Sequence, residues 1–344
     1  MNGYGMGFVC LNKDEQLAYD LFEEALRRKA TSCDISRVKR SVNLMRVLTA
    51  VLGDNPDIIY LNKTMIRTLG SFFGKQISFV GCLPRKQAEL CDIQLKKALE
   101  DAVWEIDKKA KNDKEILMGI SEYLQRNVKY DMDELNSAAR GKSISPMSHN
   151  AYGALVNHRA VCDGFSSAYA LIVQYFGMRC MIVEGQSSYH GLSKTAHAWN
   201  IIEYDEDYFH VDSTWDANTY ETIRTCSYDY FGLDDDEIAV DHEWDYKTTL
   251  RCSSNKLSYF VSNGLYAYSE SQIEDIISRQ MKRHEKVIRL KISPGISLNG
   301  DGQSQLEKIM MAAASRNCIA TPYHYTWQSA TRCLIITFDD FNLI

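Results

Sequence analysis

Apolar positions recur at helical spacing through the first third of the chain. Residues 13–30 place Leu17, Leu21, Phe22, Ala25 and Leu26 on one face, and residues 36–52 repeat the habit before a stop at Gly53, Asn55 and Pro56. Helices over 86–110 and 113–128 follow. The stretch from Asp131 to Asn150, rich in Ser, Gly and Asn, then reads as loop. From Cys162 the pattern changes. A helix runs to Phe176 and stops at Gly177, and short alternating runs over 180–185, 197–204 and 208–215 predict β-strands. The tail predicts a helix near 270–284, a strand at 286–292, a helix at 303–316 and strands near 322–329 and 332–338. No fixed-period repeat or low-complexity linker interrupts the series. The chain therefore divides into a helical N-terminal region (1–112), an α+β core (113–250) and a small α/β lobe (251–344).

Composition narrows the partners. With 45% hydrophobic and 24% charged residues over 344 positions, the chain has an ordinary globular make-up and enough length for a sizeable core. The net charge is −6 and the basic residues are interleaved with acids, which excludes an electrostatic footprint for nucleic acid or an anionic membrane surface. No run of 18 apolar residues occurs, and the opening MNGYGMGFVCLNKDE has neither a basic segment nor an apolar one. The expectation is a cytoplasmic protein without a membrane span. The ten cysteines form no CxxC pair, so they read as mostly buried thiols of a reducing compartment and not as a zinc ribbon. No metal or cofactor is expected, and the oligomeric state is left open.

One cysteine stands apart by position. Phe165, Tyr169, Ile172, Val173 and Phe176 form one apolar face of a helix that begins at or just after Cys162. At a helix N-terminus the macrodipole and the unpaired backbone N–H groups favour a thiolate and can hold an oxyanion. Gly164 beside it would let a substrate backbone approach. A free cysteine by itself is more often inert core, a lone histidine a satisfied core residue, and a lone aspartate a cap or turn. Here, however, His197 opens one predicted strand and Asp212 lies in the next. A Cys at a helix start, a His and an Asp in this order are the parts of a nucleophile, a general base and an orienting carboxylate.

These residues carry a resemblance. Val161-Cys162-Asp163-Gly164-Phe165, His197-Ala198-Trp199-Asn200 and His210-Val211-Asp212-Ser213-Thr214-Trp215-Asp216 resemble the three blocks of the transglutaminase-like superfamily. The likeness extends to Asn127-Val128-Lys129-Tyr130-Asp131 and Ala151-Tyr152-Gly153-Ala154-Leu155 upstream, and to Tyr230-Phe231-Gly232-Leu233 and Asp241-His242 downstream. It implies a papain-like α+β core with a Cys162-His197-Asp212 triad, acting on protein or peptide amide bonds through a thioester. Bacterial members of the superfamily are often regarded as proteases, so the expected activity is that of a cysteine peptidase or amidase. The alternatives are a glutamine γ-glutamyl transferase and a non-catalytic binding module. Peptide N-glycanase, another relative, carries zinc-binding CxxC pairs that this chain lacks. The chain departs from the bacterial pattern in having His158 where a Gly is usual, and in the polar stretch Gln186 to Ala196.

The neighbours of the triad have plain readings. Trp199 and Trp215 are expected as core that flanks the base and the acid. Tyr152, ten residues before Cys162, is a candidate to join the Cys162 backbone N–H as an oxyanion donor, because acyl transfer needs donors where negative charge develops. The acid run Asp234-Asp235-Asp236-Glu237 reads as a solvated loop without the ligand spacing of a calcium site.

Overall fold

The computed structural model describes residues 5–71, 74–81, 83–142, 145–188, 193–296, 302–317, 322–328 and 331–338. The chain is a mixed α+β protein, and its first third departs from the helical expectation. The short helix α1 (Met6–Val9), α2 (Lys13–Arg27) and α3 (Leu44–Asp54) pack against a sheet of order β1-β3-β2, built from β1 (Ser32–Asp34), β2 (Leu61–Ser71) and β3 (Gly74–Gly81). Helix α2 starts sharply because Asn12 and Glu15 form a reciprocal capping box. The sheet is legible only in the alternation of β3, where Ile77 and Phe79 are buried, and Phe79 meets Phe22 of α2 edge to face at 5.7 Å.

The long helix α4 (Arg85–Asp107) bridges two cores: its Ala88 joins the apolar cluster of this sheet, while Leu95, Ala102, Val103 and Ile106 enter the same cluster as α5 (Asp113–Asn127) and the central sheet. The stretch read as loop holds α6 (Met132–Ala138) and a 3-10 turn over Pro146–His149, each too short for its periodicity to show. After them come α7 (Ala151–Leu155) and α8 (Cys162–Tyr175). Strand β4 (Lys129–Tyr130) pairs in parallel with β5 (Arg159–Ala160), so Tyr130 lies beside Ala160, two residues before Cys162. From Gly164 to Val173 every residue of α8 is buried, as befits a helix sandwiched between a sheet and other helices.

The central sheet has the order β10-β6-β7-β8-β9 with every pair antiparallel, from β6 (Cys180–Ser187), β7 (Thr195–Tyr204), β8 (Asp207–Val211), β9 (Phe231–Leu233) and β10 (His242–Glu243). Helix α9 (Ser213–Ile223) follows β8 directly, and α10 (Asp235–Ile238) joins β9 to β10. The tail contributes α11 (Tyr259–Ser262), β11 (Tyr266–Ala267), α12 (Glu270–Lys282), β12 (Val287–Ile292), α13 (Gly302–Arg316), β13 (Tyr323–Gln328) and β14 (Cys333–Phe338), with a sheet of order β11-β12-β14-β13 and a core of its own. Two cations of β12 reach back into the central unit: Arg289 pairs with buried Asp229, and Lys291 Nζ donates to the Asp229 carbonyl at 2.8 Å. Among the described residues no helix is long and apolar enough to cross a membrane.

Candidate active site

The β7–β8 hairpin decides whether His197 and Asp212 can meet. Side chains alternate along a strand, so a loop of the wrong length would put the two on opposite faces. The chain turns in two residues, Asp205 and Glu206, both at positive φ (50° and 64°), and Tyr204 pairs with Asp207. This is the geometry of a type I′ turn, which matches the twist of the strands it joins. Asn200 then faces Val211, and the next residue, Asp212, falls beside Trp199 on the face that also carries His197. His197 Nε2 donates to Asp212 Oδ2 at 2.6 Å. The other ring nitrogen is not engaged by Asp212, and Cys162 lies near enough to help raise the titration of the imidazole.

Asp212 holds two positions at once. It is the N-cap of α9, with Oδ1 accepting from the backbone N–H of Thr214 at 2.9 Å and of Trp215 at 3.1 Å, while Oδ2 faces the base. It is fully buried. Burial alone would raise its titration, but His197 and His242 beside it override this and hold the carboxyl well below the usual range. For His197 burial pulls down, and the Asp212 carboxylate outweighs it and lifts the imidazole to about 9. Cys162 is partly exposed, at the first position of α8. Its flank is held by His149, whose ring nitrogens lie 3.0 Å from Asp163 Oδ2 and 3.0 Å from Glu134 Oε1.

Other expected residues have different partners. The Tyr152 hydroxyl donates to Gln94 Oε1 of α4 at 2.8 Å, and its titration responds to Cys91. The aromatic hydroxyl near Cys162 is that of Tyr130, which β4 places beside Ala160 and whose titration responds to Cys162. Burial first, then the nearby Cys162, Asp212 and Asp163, push this phenol well up, so it keeps its proton. Gly164 is required by packing and not by substrate, since a Cβ there would lie 2.4 Å from the Ser148 carbonyl oxygen. His158 is exposed with φ of 54°, the left-handed region that explains why glycine suits this position. Trp199 is core, as expected, and it also stacks on His197 with ring centroids 6.0 Å apart. Asn200 points the other way, its Nδ2 donating to the Ser166 carbonyl of α8 at 3.0 Å. The polar stretch Gln186 to Ala196 lies partly outside the described residues, as do Cys82 and Cys318.

The acid run is not a solvated loop. Asp234 caps α10 in a reciprocal box with Glu237, and buried Asp235 accepts from His210 Nε2 at 3.0 Å. His210, Asp235 and Cys252 form a donor set of metal-binding type, as do His197, Asp212 and His242. In the first set Trp199 Nε1 donates to His210 Nδ1 at 3.0 Å, so the ring proton sits on Nε2, the atom an ion would need. In the second, the 2.6 Å between His197 and Asp212 is a hydrogen bond, shorter than the roughly 3.3 Å that two ligands keep around a tetrahedral ion. Two neighbours of His197 and Cys162 had no role in the sequence reading. Tyr130 and His242 each sat unassigned in a segment of the resemblance, and His242 lies 30 residues beyond Asp212, with no spacing to betray that they meet.

Residues 100–213, which include Cys162, His197 and Asp212, match the family model of the transglutaminase-like superfamily, and this segment is a transglutaminase-like domain. The chain is 25% identical over 140 residues to the Kyphoscoliosis peptidase of Homo sapiens, covering 39% of this chain and 20% of that protein. It is 22% identical over 145 residues to the Mus musculus protein of the same name, covering 40% and 21%. It thus spans about a fifth of the length of these relatives. Among solved structures, a crystal structure of a TGase superposes with a TM-score of 0.32 and 14% identity over 43% of each chain.

Proposed function

We propose that the protein is a thiol enzyme of acyl transfer on protein or peptide amide bonds, with a papain-like arrangement of Cys162, His197 and Asp212. The observation that carries this reading is the bond of 2.6 Å from buried His197 to Asp212, in an imidazole whose titration also responds to Cys162 at the first position of α8. Cys162 Sγ attacks the amide carbon while His197 takes the thiol proton. The imidazolium then gives that proton to the leaving amine, and a thioester remains. Water resolves the thioester in a second, similar step. Asp212 stays ionised throughout and holds the imidazole in one tautomer. The Cys162 backbone N–H and the nearby Tyr130 hydroxyl serve as oxyanion donors, since acyl transfer needs donors where negative charge develops.

Hydrolysis is preferred over transfer to a lysine amine, in keeping with the peptidase name of the relatives. A binding module without catalysis would have no reason to keep three polar groups converged in an apolar setting, where each unmade bond is costly. The test is incubation with an active-site thiol probe, followed by a proteome-wide search for new chain termini against new isopeptide links. New termini that depend on Cys162 support the hydrolase. New isopeptide links in their place would make it a transferase, and neither product would end the proposal.

A further inference from the structure

Asp212 has a second imidazole. His242 Nε2 lies 3.1 Å from Asp212 Oδ2, the oxygen that also takes His197, and His242 Nδ1 lies 2.6 Å from Asp241 Oδ1. Asp241 Oδ2 in turn accepts from the Tyr230 hydroxyl at 2.6 Å. His242 is 3% exposed, so water does not substitute for these bonds. Both of its nitrogens face carboxylate oxygens, which only accept, so each nitrogen must carry a proton unless a carboxyl does. With reference values of about 3.9 for Asp and about 6.5 for His, the proton belongs on the ring.

We propose that His242 is a positioning residue of this centre: an imidazolium clamped between Asp241 and Asp212 that pins Asp212 Oδ2 toward His197 and, through its charge, sets the pH at which His197 loses its proton. The inference rests on the triad reading. Strand β7 contributes His197, with ring centroids 5.3 Å away, and Trp199 at 4.9 Å. The start of α9 contributes Asp212 and Trp215, the latter at 4.8 Å. Tyr230 lies at 5.7 Å, Asp241 precedes His242 in the chain, and His210 of β8 feels its charge. His197 and His242 are therefore like charges that share one carboxylate oxygen. Removal of one must make the other more basic.

The test uses the full chain and needs no substrate. Iodoacetate is an anion and reacts fastest while the thiolate faces an imidazolium, so the alkaline limb of Cys162 alkylation reports the loss of the His197 proton. His242→Gln keeps an N–H donor toward Asp212 but no charge. The expected result is an alkaline limb moved upward by about 0.5–1 pH unit. A folded His242→Gln protein with an unmoved limb, whatever its rate, overturns the inference, since a merely structural role would change amplitude and not position. If Cys162 of the unsubstituted protein shows no preferential alkylation, the triad reading itself fails. Should His242→Gln not fold, 15N-histidine NMR of the unsubstituted chain decides. Two protonated nitrogens on His242 at pH 7.5 support the clamp, and one bare nitrogen overturns it.

Discussion

Asp212 Oδ2 accepts from His197 Nε2 at 2.6 Å while Asp212 Oδ1 caps helix α9, so the carboxylate that meets the imidazole is itself fixed by the helix it begins. The two duties can be separated. Asn is as good an N-cap as Asp but carries no charge for the imidazole. Asp212→Asn should therefore keep the cap but lose the charge that raises His197 and His242, so it should melt below the unsubstituted protein near pH 6 and turn over about 10²–10⁴-fold more slowly. Asp212→Ala should show a similar kinetic loss and melt lower again, by about 1 kcal/mol from the missing cap. Thermal melts and kcat/KM on the same preparations check both.

Cys162 should be the first thiol to react. Burial raises the thiols of Cys33, Cys180, Cys252 and Cys333, and it is also the leading cause of the upward shifts at Cys10 and Cys226. Limited iodoacetamide near pH 6, read by peptide mapping, should label Cys162 ahead of these six. Earlier labelling of Cys10 or Cys226 would remove the assignment of the nucleophile.

The oxyanion assignment separates two tyrosines. Tyr130→Phe removes one proposed donor and should lower kcat about 10²–10³-fold with little change in KM. Tyr152→Phe loses only its bond to Gln94 and should remain active. The reverse pattern would return the role to Tyr152.

Stability should fall as pH rises. His197 and His242 have folded values raised to about 9, above the unfolded value of about 6.5, so their contribution is complete below 6.5 and disappears as pH passes through 9. Asp216 acts in the same direction: burial, and then Asp229, raise its carboxyl to about 7, so the fold holds the protonated acid and is penalised as pH climbs from about 4 through 7. The melting temperature at pH 9.5 should lie below that at pH 6 by on the order of 5 °C. Asp216→Asn should flatten the part of the curve below pH 7.

The C-terminal lobe is tied to the same centre through Asp229. Arg289→Met leaves the Asp229 carboxylate buried without its guanidinium, next to Asp216, and should cost about 3–5 kcal/mol. Denaturant melts check this. A loss under 1 kcal/mol would mean that the pair is not desolvated as described.

The local elements and the blocks of the family resemblance were legible in consecutive residues. Helical periodicity located α2, α4, α5, α12 and α13 to within a few residues, and the apolar face after Cys162 put that thiol at a helix start, because 3.6-residue and 2-residue repeats are written into consecutive positions. Parity even limited the β7–β8 turn to the length observed, since only a two-residue loop or a bulge lets His197 and Asp212 share a face. The N-terminal sheet, α6, Tyr130 beside Cys162, the Gln94 partner of Tyr152, and His242 on Asp212 were decided only by the tertiary structure. Those contacts join residues far apart in the chain, or elements too short to show a period. His242 meets Asp212 because β10 pairs with β6 at one edge of the sheet, a long-range pairing that no local pattern of polar and apolar residues encodes.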